Sequence, residues 1–259
     1  MLAITPHGDA DHGTRPLLIV HGLFGSARNW GVIARNLAKH RPVLTVDLRN
    51  HGASAWKDGH TYPDMAEDLA QVIDAHGGTA DVLGHSMGGK AAMWLALTQP
   101  DMVARLIVAD IAPVAYTHTQ MKYLQAMKSL DLDALTSRSD ADRALRPEIP
   151  ELAIRAFLLQ SLDIPERRWR LNLDALEADM AAIMDFPETA NTYDGPTLFL
   201  AGGASDYIQP DHRPAMKALF PTHRLVRIPG ANHWLHAEKP RDFEAAVTVW
   251  LDATDGQAA

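Results

Sequence analysis

The sequence predicts an α/β fold: a mostly parallel sheet with helices on both faces, interrupted by a helical insertion. Three observations carry this. Short apolar runs alternate with helical patterns, as in repeated β–α units. The runs are apolar at consecutive positions, as strands covered on both sides require. The alternation then stops for roughly 70 residues, more than a crossover needs, and afterwards resumes.

The first runs are Leu17–Val20, Val43–Val46, Ala80–Leu83 and Leu106–Ala109. Between them lie helical patterns over Trp30–His40, Met65–His76 and Met87–Leu97, the last stopped by Gln99-Pro100, where proline forbids continuation. From about Thr117 to Phe186 the pattern is helical throughout, cut into segments by Pro147, Pro150, Pro165 and Pro187. Strand character returns at Thr197–Leu200 and Leu225–Ile228, and a closing helix spans Arg241–Leu251, followed by a frayed tail. The expected organisation is a core of residues 1–113 and 190–259 and a helical lid of residues 114–189.

Composition bounds the function. The 259 residues are 47% hydrophobic and 22% charged, enough apolar material for a sizeable core. A formal net charge of −8 argues against binding nucleic acid or an anionic membrane through bulk charge. With no cysteine there is no disulfide, thiolate nucleophile or Cys-based metal site. The N-terminus lacks a signal-peptide pattern, and no stretch approaches the roughly 20 apolar residues of a membrane span. A soluble cytoplasmic protein is expected.

The strongest chemical signal is Gly84-His85-Ser86-Met87-Gly88. This G-x-S-x-G stands directly after a strand and directly before a helix, the context of a nucleophile elbow. The glycines leave room for a tight turn that lifts the serine hydroxyl above the sheet. A plain β–α turn with an N-capping serine is the bland alternative. A second signal is His21-Gly22-Leu23-Phe24-Gly25 after the first of these strands. Acyl transfer needs preorganised donors for a developing oxyanion, and the Leu23 and Met87 N–H groups are the candidates. A third is Gly230-Ala231-Asn232-His233-Trp234-Leu235-His236 after the last strand. A serine nucleophile needs a base titrating near neutrality; the chain order Ser, acid, His and a place in a loop beyond a strand's C-terminal end favour His233 among 13 histidines. His236 is expected to pack at the start of the final helix, and His21 and His85 to support their turns.

The acid has two candidates, Asp110 after the strand Leu106–Ala109 and Asp206 after Thr197–Leu200. Either could hold the imidazole in the right tautomer. Asp47 and Arg49 are expected to pin a loop. The group His7, Asp9, Asp11 and His12 has ligand-type side chains but reads as a loose N-terminal loop, not a metal site. Tyr116, Met121, Tyr123, Met127, Phe157 and Trp169 are expected to form the core of the insertion, some of them facing an acyl pocket.

The stretches HGLFGS, DLRNHGAS, GHSMGGK, DIAP, LFLAGGASDYI and GANHWLHAEKP resemble the α/β-hydrolase superfamily, and more narrowly its YbfF-type acyl esterases. The likeness runs from about Leu17 to Trp250 and is weakest in the insertion. It implies an α/β-hydrolase sheet with a lid, acting without cofactor or metal on small-molecule acyl esters or thioesters. The aspartate of Asp-Ile-x-Pro is the acid in the narrower family, which favours Asp110; the wider superfamily more often uses the position of Asp206. Ser86 excludes the dehalogenases and epoxide hydrolases of this fold, which need a carboxylate nucleophile. A carbon–carbon bond hydrolase or a perhydrolase shares the same triad, and a hydrolase-fold binding protein is the rival from another class.

Overall fold

The computed structural model describes residues 1–8 and 15–255. Asp9, Asp11 and His12 and the last four residues lie outside them. The core elements follow in the order β1 (Ala3–His7), β2 (Leu17–Val20), α1 (Gly31–Leu37), β3 (Val43–Asp47), α2 (Tyr62–Asp74), β4 (Ala80–His85), α3 (Met87–Thr98) and β5 (Val103–Ala109). The chain then passes through α4 (Met121–Lys128), α5 (Arg138–Leu145), α6 (Leu152–Leu158), β6 (Leu162–Asp163), β7 (Arg168–Trp169), α7 (Leu173–Ala178) and α8 (Met180–Met184). It returns through β8 (Thr197–Gly202), α9 (Arg213–Leu219), β9 (Arg224–Ile228), α10 (Leu235–Glu238) and α11 (Pro240–Thr254).

Among the described residues seven strands form one sheet in the order β1-β3-β2-β4-β5-β8-β9. All neighbours pair in parallel except β1, which runs antiparallel to β3. Strands β2, β3, β4 and β8 are buried at every position, so both of their faces must be apolar. In β2, Leu18 and Val20 join the cluster that holds α2, α3 and the insertion, while Leu17 and Ile19 join the one that holds α1 and α11. Helix α2 starts three residues earlier than its apolar spacing indicates, because Thr61 and Asp64 close a reciprocal cap around Pro63.

The structure departs from expectation in several places. Strand β1 leaves no signal in the sequence: it is short, half-exposed and contains Pro6, which a sheet edge tolerates. Helix α9 is a further element without a sequence signal, seven residues long with a proline in its first turn. The insertion is not helical throughout either, since Leu162–Asp163 and Arg168–Trp169 pair as an antiparallel hairpin around Pro165. No helix among the described residues is long and apolar enough to cross a membrane.

Candidate active site

Strand β4 ends at His85 and α3 begins at Met87, so Ser86 alone reverses the chain, at φ 52° and ψ −123°. For a non-glycine residue this is strained backbone, of the kind that clusters at functional sites. Its glycines are required by contact: a Cβ on Gly84 would lie 2.3 Å from the Gly88 carbonyl oxygen, and one on Gly88 would lie 2.3 Å from that of His21. The Ser86 side chain does not cap α3, which removes the bland alternative. Its Oγ lies 3.1 Å from His233 Nε2.

His233 sits in the turn between β9 and α10. Its Nδ1 lies 2.9 Å from Asp110 Oδ2, its backbone carbonyl accepts a hydrogen bond from His85 Nε2 at 2.9 Å, and its ring stacks on Tyr207 at 3.6 Å between centroids. Asp110 is fully buried directly after β5, itself at a positive φ of 52°. Its Oδ1 accepts from the Gly202 N–H at 2.8 Å, and its Oδ2 also accepts a short bond from Ser205 Oγ. Asp206 is exposed, and its carboxylate is met by Gln209 Nε2 at 3.4 Å. The structure therefore brings Ser86, His233 and Asp110 into one hydrogen-bonded line and leaves Asp206 outside it.

The supporting residues fall where the sequence put them. His21 Nε2 accepts from the Leu48 N–H and its Nδ1 donates to the Gly22 carbonyl; burial pushes its pKa down to about 4. Burial, with His236 and His233 beside it, holds His85 well below the ordinary histidine value. His236 packs as expected, stacking on Trp30 at 4.2 Å, but from the short helix α10 that precedes the final helix and not from the start of that helix. Asp47 accepts from the Ala27 and Ala53 N–H groups, and Arg49 pairs with Asp64 and Asp68, so both pin loops.

The Leu23 N–H meets no acceptor among the described residues, and Met87 opens α3, where the helix ladder does not use its N–H. Both residues line a cavity of about 690 Å³ that reaches Ser86 and His233. Tyr116, Tyr123 and Phe157 of the expected insertion set face this cavity, whereas Met127 and Trp169 are buried in the insertion and joined by a Trp169 Nε1–Met127 carbonyl hydrogen bond.

Sequence reasoning assigned no role to Ser205, Tyr207 or Lys90. Ser205 and Tyr207 flank the candidate Asp206 in the loop after β8, but neither side chain belongs to a motif. Lys90 did leave a signal, a lone cation inside the apolar run of α3. Its Nζ donates to the Met184 and Asp185 carbonyls at 3.0 and 2.6 Å and lies 4.8 Å from the centre of the Tyr116 ring. Burial pushes its pKa down to about 7. Among the described residues no group of three or more His, Asp or Glu side chains is placed to hold a metal ion.

Fold and geometry describe a protein of the α/β-hydrolase class, and the family model for the alpha/beta hydrolase fold matches residues 15–240. The chain belongs to that family and, within it, to the YbfF-type esterases, which are carboxylic ester hydrolases. Esterase YbfF of Escherichia coli (strain K12) is 37% identical over 243 residues, covering 93% of this chain and 94% of the relative. The sn-1-specific diacylglycerol lipase ABHD11 of Danio rerio is 42% identical over 254 residues, covering 94% and 80% respectively. The solved structure of a marine microorganism esterase has a TM-score of 0.92 and 38% identity, over 96% of this chain and 99% of that one.

Proposed function

We propose that the chain hydrolyses acyl esters through a covalent acyl-enzyme, with Ser86 as nucleophile, His233 as general base and Asp110 as the acid that orients it. The observation that carries this reading is the Ser86–His233–Asp110 line at a cavity wall. Neutral His233 takes the Ser86 proton as Oγ attacks the acyl carbonyl, and returns it to the departing alkoxide. The Leu23 and Met87 amides receive the oxyanion. Water, activated by the same imidazole, then releases the acid. Asp110, held by the Gly202 amide and the Ser205 hydroxyl, keeps the Nδ1 proton of His233 in place and favours the imidazolium that forms. The same chemistry suits acyl thioesters. Because two relatives are named as an esterase and a diacylglycerol lipase, acylglycerols belong in the substrate panel.

Residues 114–189 act in this reading as a lid whose inner surface, including Ile154, Phe157 and Met184, receives the acyl chain. Treatment with a fluorophosphonate followed by mass spectrometry tests the assignment. The adduct is expected on Ser86, and Ser86→Ala should lose about three to six orders of magnitude in kcat while remaining folded. An adduct elsewhere, or an active alanine variant, overturns it. A binding protein without turnover would leave the probe unreacted.

A further inference from the structure

We propose that His51, in the loop after β3, is a positioning residue that sets the direction of the Leu23 amide and so builds the oxyanion site from behind. The inference rests on the reading of Leu23 as an oxyanion donor. His51 is fully buried and lies outside the Ser86–His233–Asp110 line. Its Nε2 accepts the Phe24 N–H at 3.2 Å, and its Nδ1 lies 2.9 Å from the Arg49 carbonyl oxygen. A backbone N–H can only donate and a carbonyl can only accept. The partners therefore fix both the tautomer and the charge: a neutral ring with its proton on Nδ1.

Phe24 needs such a hold. It is a buried, bulky residue at φ +61°, in the left-handed region that L side chains avoid. Its N–H is taken by His51 and its carbonyl by Ser161 Oγ, at 3.1 Å, from the insertion. On the other side of Leu23, the Gly22 carbonyl accepts from His21 Nδ1 at 2.8 Å and from the Gly25 N–H at 3.0 Å. Both peptide planes that flank Leu23 are thus clamped, the Gly22–Leu23 plane at the Gly22 carbonyl and the Leu23–Phe24 plane at the Phe24 N–H, which leaves the Leu23 N–H of the first plane without a protein acceptor among the described residues, at the cavity. Without an acceptor at His51, Phe24 can relax toward negative φ, which rotates the Leu23–Phe24 peptide and swings Leu23. The His21 and His51 rings lie 5.0 Å apart, and His51 and His60 lie 5.2 Å apart. His60 Nε2 in turn reaches Met87 Sδ at 3.4 Å, so the cluster backs both oxyanion residues.

A positioning role separates from simple scaffolding in the transition state. His51→Leu is expected to lower kcat about 100-fold, the scale of losing one oxyanion donor, with KM changed less than about threefold. Affinity for a trifluoromethyl ketone analogue, whose hemiketal oxygen occupies the same place, should fall by the same factor. His51→Gln puts an acceptor near the Nε2 position and should recover to within about tenfold of the wild type. His51→Asn reaches only the Nδ1 position and should not recover. If His51→Leu does not fold, the Gln and Asn pair carries the comparison at 20 °C or below. Equal activity of the Gln and Asn variants, or unchanged ketone affinity in a folded His51→Leu, overturns the proposal. If Ser86→Ala stays active and the wild type forms no hemiketal, the reading of the site has failed. If those controls behave as expected but a folded His51→Leu keeps full ketone affinity, this inference alone has failed.

Discussion

Asp110 and Asp206 each follow a strand at the same end of the sheet, and in the sequence little separates them. What separates them is contact between residues far apart in the chain. Asp110 is stripped of water and accepts from Gly202, Ser205 and His233, all about 90 or more positions away, whereas Asp206 stays exposed beside Gln209. Ser86 and His233 were legible because a G-x-S-x-G turn and a His-bearing loop have local grammar; a carboxylate at a strand end has none. Asp110→Asn should lower kcat by about four orders of magnitude, since an amide favours the wrong imidazole tautomer. Asp206→Asn should cost less than about tenfold, because its carboxylate has no bond to His233 to lose. Steady-state kinetics on one p-nitrophenyl ester decides the matter, and the opposite ranking would remove Asp110 from the proposed triad. Ser205→Ala should fall between the two, as Asp110 keeps its Gly202 amide.

The inner strands were readable because a strand buried on both faces needs an unbroken apolar run. The edge strand β1 and the two-residue strands β6 and β7 have no such need and left no pattern. Helix α3 shows the opposite case: it is so apolar that one lysine inside it marks a structural task. Lys90 and Tyr62 hold the last carbonyls of α8, the Tyr62 hydroxyl donating to the Ile183 carbonyl at 2.5 Å, so the end of the insertion is pinned to the core beside the cavity. The buried Lys90 ammonium has a folded pKa near 7 against an unfolded value of about 10.4. Between those values the unfolded chain binds more protons, so stability rises with pH, by at most about 1.4 kcal/mol per pH unit. Burial raises the phenol pKa of Tyr62, Tyr116, Tyr193 and Tyr207, which acts in the opposite sense above about pH 10. Urea unfolding from pH 7 to 9.5 should therefore show a rise that flattens in Lys90→Met. If the two proteins share one slope, Lys90 is not desolvated. The same anchored wall predicts a substrate effect. At about 0.8 kcal/mol per buried CH₂, kcat/KM should climb roughly fourfold per added methylene until the cavity is full. Phe157→Ala should shift that plateau; a flat series from acetyl to octanoyl would exclude chain contact with the insertion.

Taken as a whole, the molecule keeps several of its histidines away from water. His21, His51, His60, His85 and His236 are all buried, and burial is the first cause depressing each pKa: to about 4 for His21, to about 3 for His51 and His236, and well below the ordinary value for His60 and His85. The sequence pointed to packed, supporting places for His21, His85 and His236 but not to the burial of His51 and His60 beside them, which depends on the packing of the loops after β2 and β3. The folded pKa values lie below the unfolded value of about 6.5. As pH falls through 6.5 the unfolded chain therefore takes up protons that the folded chain refuses. The share of stability that these histidines contribute is present above pH 6.5 and is lost progressively toward pH 4, by up to about 1.4 kcal/mol per pH unit for each histidine. Most carboxylates titrate near pH 4, so a loss already evident between pH 6.5 and 5 belongs to histidine. His236 offers the cleanest test. Its Nδ1 is buried without a hydrogen-bond partner among the described residues, and its ring stacks on Trp30 and meets Phe243 edge-on. Phenylalanine can keep those ring contacts while removing the unsatisfied nitrogen. His236→Phe should be at least as stable as the wild type at pH 7, more stable at pH 5, and active, since His233 remains. The urea midpoint at pH 7, 6 and 5 for the two proteins is the measurement. Parallel curves would mean that His236 does not stay neutral in the fold, and a flat wild-type curve would deny that role to the whole set.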